Sequence, residues 1–143
     1  MNDPQTEFAR QWIKKAENDV ITARQTLALK DGPTDTPCFH AQQAVEKSLK
    51  ALLTVNGIVF PYTHDVIALL DMSIDLMAEL ACFREVCAEL SAYGVDVRYP
   101  GDFVDPPRED AHSALKVAEN ITSLIKNKVD RLLANESGGS CNQ

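Results

Sequence analysis

The chain has 143 residues, a formal net charge of −7, 45% hydrophobic and 24% charged side chains. These values fit one globular domain with a single core, and no apolar run approaches the roughly 18–20 residues that a membrane span needs. The acidic balance excludes nucleic-acid binding through the general surface, which requires a basic stripe, so any such binding must come from a local site.

Residues 5–30 place Ala9, Ile13, Ala16, Val20, Ala23 and Leu27 at alternating spacings of four and three. That pattern predicts a helix with one apolar face, widened by Phe8 and Trp12. Asp3-Pro4 offers an N-cap followed by proline in the first turn, and KDGPTDTP at 30–37 ends the helix. A second helix is expected from Pro37 or Cys38 to Val55, with Ala41, Ala44, Val45, Ser48, Leu49 and Leu52 facing inward. Asn56-Gly57 is its stop signal. Thr63 or Asp65 can cap a third helical stretch over 65–92, with a break near Met72–Asp75 and Leu76, Leu80, Phe83, Cys87 and Leu90 as its apolar row.

Residues 93–107 hold three prolines and two glycines and read as an irregular loop. A loop that long in an economical bundle is often functional. The last helix is expected to begin near Pro107, with Asp105 as cap and Ala111, Leu115, Ala118, Ile125, Val129 and Leu132 inward. The Gly/Ser-rich end, 134–143, reads as a disordered tail. No β alternation of useful length occurs. The fold class is therefore all-α, an up-and-down antiparallel bundle of four to five helices, with one domain over 1–133.

MNDPQTEFARQW lacks a basic stretch followed by an apolar one, so no secretory signal is expected and the location is cytoplasmic. Cys38, Cys82, Cys87 and Cys141 form no CxxC pair, which argues against a zinc knuckle and a disulfide framework. Cys82 and Cys87 lie on or near an apolar face and are expected to be buried, inert thiols.

The acid is unevenly placed. Residues 65–96 carry Asp65, Asp71, Asp75, Glu79, Glu85, Glu89 and Asp96 against Arg84 alone, whereas 38–64 carry Lys47 and Lys50 against Glu46. The second helix thus offers a locally neutral-to-basic face, FHAQQAVEKSLK. Glu46 and Lys50 at i, i+4 are also what an ordinary solvated face shows. The adjacent Gln42 and Gln43 supply donors and acceptors suited to a base edge, a ribose or a symmetry-related helix.

His64 in YTHDV can bond its own turn or line a site, and His40 and His112 read as surface residues. No histidine pair has metal-binding helical spacing, so neither metal nor cofactor is expected. Arg98, held by the following Tyr99-Pro100, suits a phosphate or carboxylate, or a tie to helix carbonyls. Phosphate-cradling glycine loops and nucleophile elbows are absent from the sequence.

Phe39 through Leu53, Thr63-His64-Asp65 and Arg98-Tyr99-Pro100, preceded by Trp12 through Asp19, resemble in order the HEPN domain (higher eukaryotes and prokaryotes nucleotide-binding). The resemblance covers about residues 8–133. It implies a helical homodimer, often encoded beside a minimal nucleotidyltransferase protein as a toxin–antitoxin-like pair, with a nucleotide or RNA ligand. In some relatives it implies a metal-independent ribonuclease whose motif is an arginine, four to six residues, then a histidine. Here those positions after Arg98 are Phe103, Val104 and Asp105. The nearest substitute, Arg108 and His112, has a gap of three.

Metal-independent RNA cleavage needs a proton-transfer group near neutral pKa and a cation for the phosphate. With the motif missing at its expected spacing, the sequence makes no positive case for an enzyme. Three uses follow. One is a binding module whose cleft is lined by Gln43, Glu46, Lys47, Lys50, His64, Arg98 and Tyr99. Another is a purely structural dimer seam, and the third a ribonuclease using Arg108 and His112.

Overall fold

Asp3 starts the first helix as its sequence suggests. Its carboxylate accepts from the Thr6 backbone N–H at 2.7 Å, and Pro4 occupies the first turn of α1 (Pro4–Ala28). The structure, a computed structural model, describes residues 3–96 and 105–141. The second helix, α2 (Asp35–Val55), ends at Asn56, and Gly57 follows with φ of +69°, a left-handed geometry that a Cβ would strain. Asp65 caps α3 (Val66–Ser73) by accepting from the N–H groups of Ile67 and Ala68. The chain then breaks, as its sequence predicts, and Ala78–Phe83 forms a short 3-10 helix before α4 (Arg84–Asp96) and α5 (Arg108–Cys141).

Cross-helix contacts fix the topology. Gln5 reaches the Val55 carbonyl and Asp19 reaches His40 and Lys47, so α1 and α2 run antiparallel. Arg24 meets Glu119 and Lys126 meets Glu17, so α5 is antiparallel to α1 as well. α2 packs against α1, α3, α4 and α5, and 14 of its 21 residues are buried, which makes it the central helix of an all-α bundle. Alanines at 9, 16 and 23 on α1, at 41, 44 and 51 on α2, and at 111 and 118 on α5 are fully buried and allow close helix approach. Between α2 and α5 the buried hydroxyls of Ser48 and Thr122 lie 3.0 Å apart, and Ser48 also donates to the Ala44 carbonyl.

Four local expectations change. Phe8 does not widen the buried stripe. It is exposed, because α2 and α5 cover the side of α1 marked by Ala9 and Ile13 and no described residue covers the next one round. Cys82 is exposed too. In a 3-10 helix residues three apart eclipse, so Met77, Leu80 and Phe83 form the inward row and Cys82 points away. Helix α4 continues to Asp96, into the stretch expected to be loop. Helix α5 continues to Cys141, through the stretch from 134 that reads in sequence as a disordered tail; the last buried side chain described along it is Leu133.

Burial pushes the Cys87 thiol from 9.0 up to about 11. Burial, reinforced by the charges of Asp110 and Asp35, does the same for Cys38. Their thiolate fractions near neutral pH fall roughly a hundredfold below that of an ordinary cysteine. In a Cys141→Ser background, a thiol-reactive chromophore should modify Cys82 promptly and Cys38 and Cys87 only on unfolding. Fast modification of a second thiol would mean that the core is open where Cys38 or Cys87 sits.

Candidate functional site

The centre of α2 buries charge. Glu46 is 2% exposed, fully inside by the standard of the leucines around it. An isolated carboxylate there would be strongly destabilising, and two partners compensate it. Lys50 donates to Glu46 Oε2 at 3.1 Å from one turn along α2, and is itself nearly buried. His64, in the loop leading to α3, places Nδ1 at 3.1 and 3.2 Å from the two carboxylate oxygens. The Lys50 ammonium also lies 5.2 Å from the centre of the Trp12 ring of α1, a cation–π contact. One carboxylate thus joins α2, α1 and the entrance to α3.

A second cluster repeats the plan nearer the other end of α2. Asp19 of α1 is 8% exposed. Its Oδ1 lies 2.8 Å from His40 Nδ1 and its Oδ2 accepts from Lys47 Nζ at 2.6 Å. Between the clusters, Gln43 donates through Nε2 to Oε1 of the buried Gln42 at 2.8 Å. His40, Gln43, Glu46, Lys47 and Lys50 therefore share one wall with Asp19 and Trp12.

The chemistry of these contacts fixes the imidazoles. A carboxylate only accepts, so Nδ1 of each histidine carries the hydrogen, and in the neutral ring Nε2 keeps its lone pair. The His64 side chain is 53% exposed and that of His40 35%, so each ring is held on one edge and accessible on the rest. Tyr62 stands edge-on to His64 with ring centres 5.8 Å apart and is 94% exposed. Neutral imidazoles leave the wall balanced, with Lys47 and Lys50 against Asp19 and Glu46. Such an arrangement can present ring nitrogens, an amide and an aromatic face, but it holds no unpaired lysine of its own.

Of the residues singled out in the sequence, Gln43, Glu46, Lys47, Lys50 and His64 are brought together. Arg98 and Tyr99 lie outside the described residues. Arg108 is engaged elsewhere: its Nη2 donates to the carbonyls of Leu27 and Leu29, both at 2.7 Å, tying the start of α5 to the end of α1. The Leu27 carbonyl is one of those that a helix end leaves without an intrahelical partner, and the Leu29 carbonyl also accepts from the Gly32 N–H. His112 is exposed one turn further on.

Sequence reasoning misses Asp19, Trp12 and His40 as parts of the wall. For Asp19 a signal exists, because it falls three residues after Ala16 and four before Ala23, inside the apolar row of α1. His40, expected at the surface, is drawn in by that carboxylate. Among the described residues no group of three or more His, Cys, Asp and Glu could hold a metal ion.

The family model of the HEPN domain matches residues 9–128. A protein of Methanocaldococcus jannaschii, named "Putative toxin MJ1304", is 32% identical over 133 residues, covering 83% of this chain and 86% of that protein. Among solved structures, TT1696 from Thermus thermophilus superposes with a TM-score of 0.68 at 29% identity, covering 84% of this chain and 97% of the other. ST0689, described as an archaeal HEPN homologue, does so with 0.67 at 26% identity, covering 85% and 97%.

Removing one partner of a buried ion pair leaves the other uncompensated. Glu46→Ala should cost about 3–5 kcal/mol in chemical denaturation, and Glu46→Leu combined with Lys50→Met should recover most of it. A loss below about 1 kcal/mol for the single variant would be the value of an exposed pair and would contradict the burial. Arg108→Ala should lower stability by about 1.5–3 kcal/mol through its charged hydrogen bonds, while His112→Ala leaves the thermal midpoint in place. Equal, negligible effects of the two would free Arg108 for another role.

Proposed function

Because the chain belongs to the HEPN domain family, we propose that it is the helical, nucleotide- or partner-binding component of a two-gene, toxin–antitoxin-like system. In this reading it acts as a homodimer beside a minimal nucleotidyltransferase protein. The toxin name carried by its Methanocaldococcus jannaschii relative supports the setting. The observation that carries the binding role is the pair of carboxylate-held imidazoles on the α1–α2 wall, with the exposed Tyr62 beside one of them.

The wall is suited to a nucleoside more than to a bare phosphate. A nucleobase can stack on the exposed Tyr62 ring, as bases do on aromatic platforms, and meet His64 beside it. The imidazole Nε2 atoms and the Gln43 amide can then address its edge or a ribose hydroxyl. Both lysines are already engaged by carboxylates, so phosphate affinity from the wall alone is small. The sequence adds Arg98 and Tyr99, which lie outside the described residues, to the proposed ligand-binding set. The ribonuclease alternative through Arg108 and His112 draws no support from the geometry, since the Arg108 guanidinium holds helix carbonyls.

Trp12 is the single tryptophan of the chain and touches Lys50 of the wall, so its fluorescence reports on the site. Titration with ATP, GTP and a short single-stranded RNA should shift its emission for at least one of them. Tyr62→Ala should weaken that ligand by about 1–3 kcal/mol, the loss of one stacked base, and His64→Ala should weaken it also. Unchanged Trp12 emission and NMR shifts with all three, and no nucleotidyltransferase co-purifying from the host, would overturn the proposal.

A further inference from the structure

Helices α4 and α5 both pack on α2, but among the described residues they make few contacts with each other. The gap between them is a groove of about 480 Å³. Its apolar part comes from Val86 and Leu90 on α4 and Ala114 and Val117 on α5, and its charged part from Glu89 and Asp110. Leu90 and Ala114 are buried, whereas Glu89 and Asp110 are exposed. On α4 the lining positions are separated by three and four residues, and on α5 Asp110, Ala114 and Val117 by four and three. The groove therefore runs for about two turns along α5 and about one turn along α4.

Charge narrows the occupant. Among the described residues no lysine or arginine lines the groove, and neither Glu89 nor Asp110 has an ion-pair partner there. Glu85 and Glu109 add carboxylates on the same two helices, and Arg84, the one base in 65–96, is paired with Asp71. An acidic rim repels phosphate backbones and anionic lipid, while an apolar floor between two helical walls accepts the apolar row of another helix. From the open slot and its charge together, we propose that the α4–α5 groove docks an amphipathic helix of a partner protein, with an apolar row flanked by lysine or arginine. This surface is separate from the α1–α2 wall, and its occupation does not depend on nucleotide binding there.

The test uses the full chain and a fluorescein-labelled peptide of about 18 residues, long enough to hold a helix. Leucines at positions i, i+3, i+4 and i+7 form its apolar row and lysines flank them. A second peptide has the same composition with the row scrambled. Anisotropy should show saturable binding of the first peptide and at most weak binding of the second. Glu89→Lys should weaken the first peptide roughly tenfold by reversing a rim charge. Ser113→Trp, which fills the groove from an exposed position, should weaken it at least comparably. Glu79→Lys, an exposed position outside the lining, controls for net charge and should leave affinity within about twofold.

Circular dichroism checks that each variant is folded. Equal binding of the scrambled peptide, equal loss with Glu79→Lys, or no loss with either groove variant overturns the proposal. So does a change of oligomeric state of the peptide-free chain on Glu89→Lys, which would make the occupant a second copy of this chain.

Discussion

The buried carboxylate of Glu46 constrains more of this fold than any other single group. A central helix must be apolar around most of its circumference, and α2 is, except where Gln42, Glu46, Ser48 and Lys50 are buried with the leucines. Once Glu46 is inside, desolvation demands a cation and further hydrogen bonds in fixed places. Lys50 supplies the first from the next turn, and Trp12 closes over the ammonium. His64 supplies the second, which requires the loop after Gly57 to bring its ring back against α2 before Asp65 opens α3. The left-handed Gly57 and the Asp65 cap fix the two ends of that loop. Its exposed tip, Val59 and Tyr62, is left outside by the same path.

A buried pair of this kind contributes little net stability compared with well-packed hydrophobic residues of the same volume. What it adds is orientation. The Asp19 cluster shows the same division of labour, with a buried carboxylate that accepts from a lysine on one oxygen and faces an imidazole on the other. In both clusters the lysine neutralises the carboxylate and the histidine is left half in solvent with its tautomer fixed. Carboxylates that orient imidazoles in this way serve binding and proton-transfer sites in many proteins. The wall is therefore rigid in its polar geometry although most of its charge is internally cancelled.

How much of this is legible in sequence depends on whether the signal is periodic or a matter of pairing. Helices α1 and α2 and the break before the 3-10 segment follow from apolar spacing and from Asp, Pro and Gly punctuation, and the caps Asp3 and Asp65 from residue type alone. Glu46, Lys50 and His64 are visible as a polar set, yet nothing local distinguishes Glu46–Lys50 from an exposed i, i+4 pair. That difference is created by α1, α3, α4 and α5 closing around α2. Asp19 is concealed in the opposite way, as an acid inside an apolar row of another helix, so its partners on α2 look like surface residues. Cys82 is misplaced when the 3.6-residue period is carried through a stretch that turns with a period of three.

The α1–α2 wall and the α4–α5 groove are chemically opposite, and that opposition bears on how one small domain could serve two ligands. On the α1–α2 wall each carboxylate is buried and paired, so what reaches solvent is imidazole, amide and phenol. In the α4–α5 groove the carboxylates reach solvent and the apolar surface lies beneath them. In the proposed reading, a nucleotide would gain stacking and directional hydrogen bonds on the first surface and would meet repulsion for its phosphates on the second. The proposed basic amphipathic helix would gain apolar burial and charge complementarity in the groove and would find neither on the wall. Because α2 forms part of the wall and supports both sides of the groove, the surfaces share a rigid element without sharing any residue. Occupying one need not distort the other unless α2 itself shifts, and its centre is held in place by Glu46.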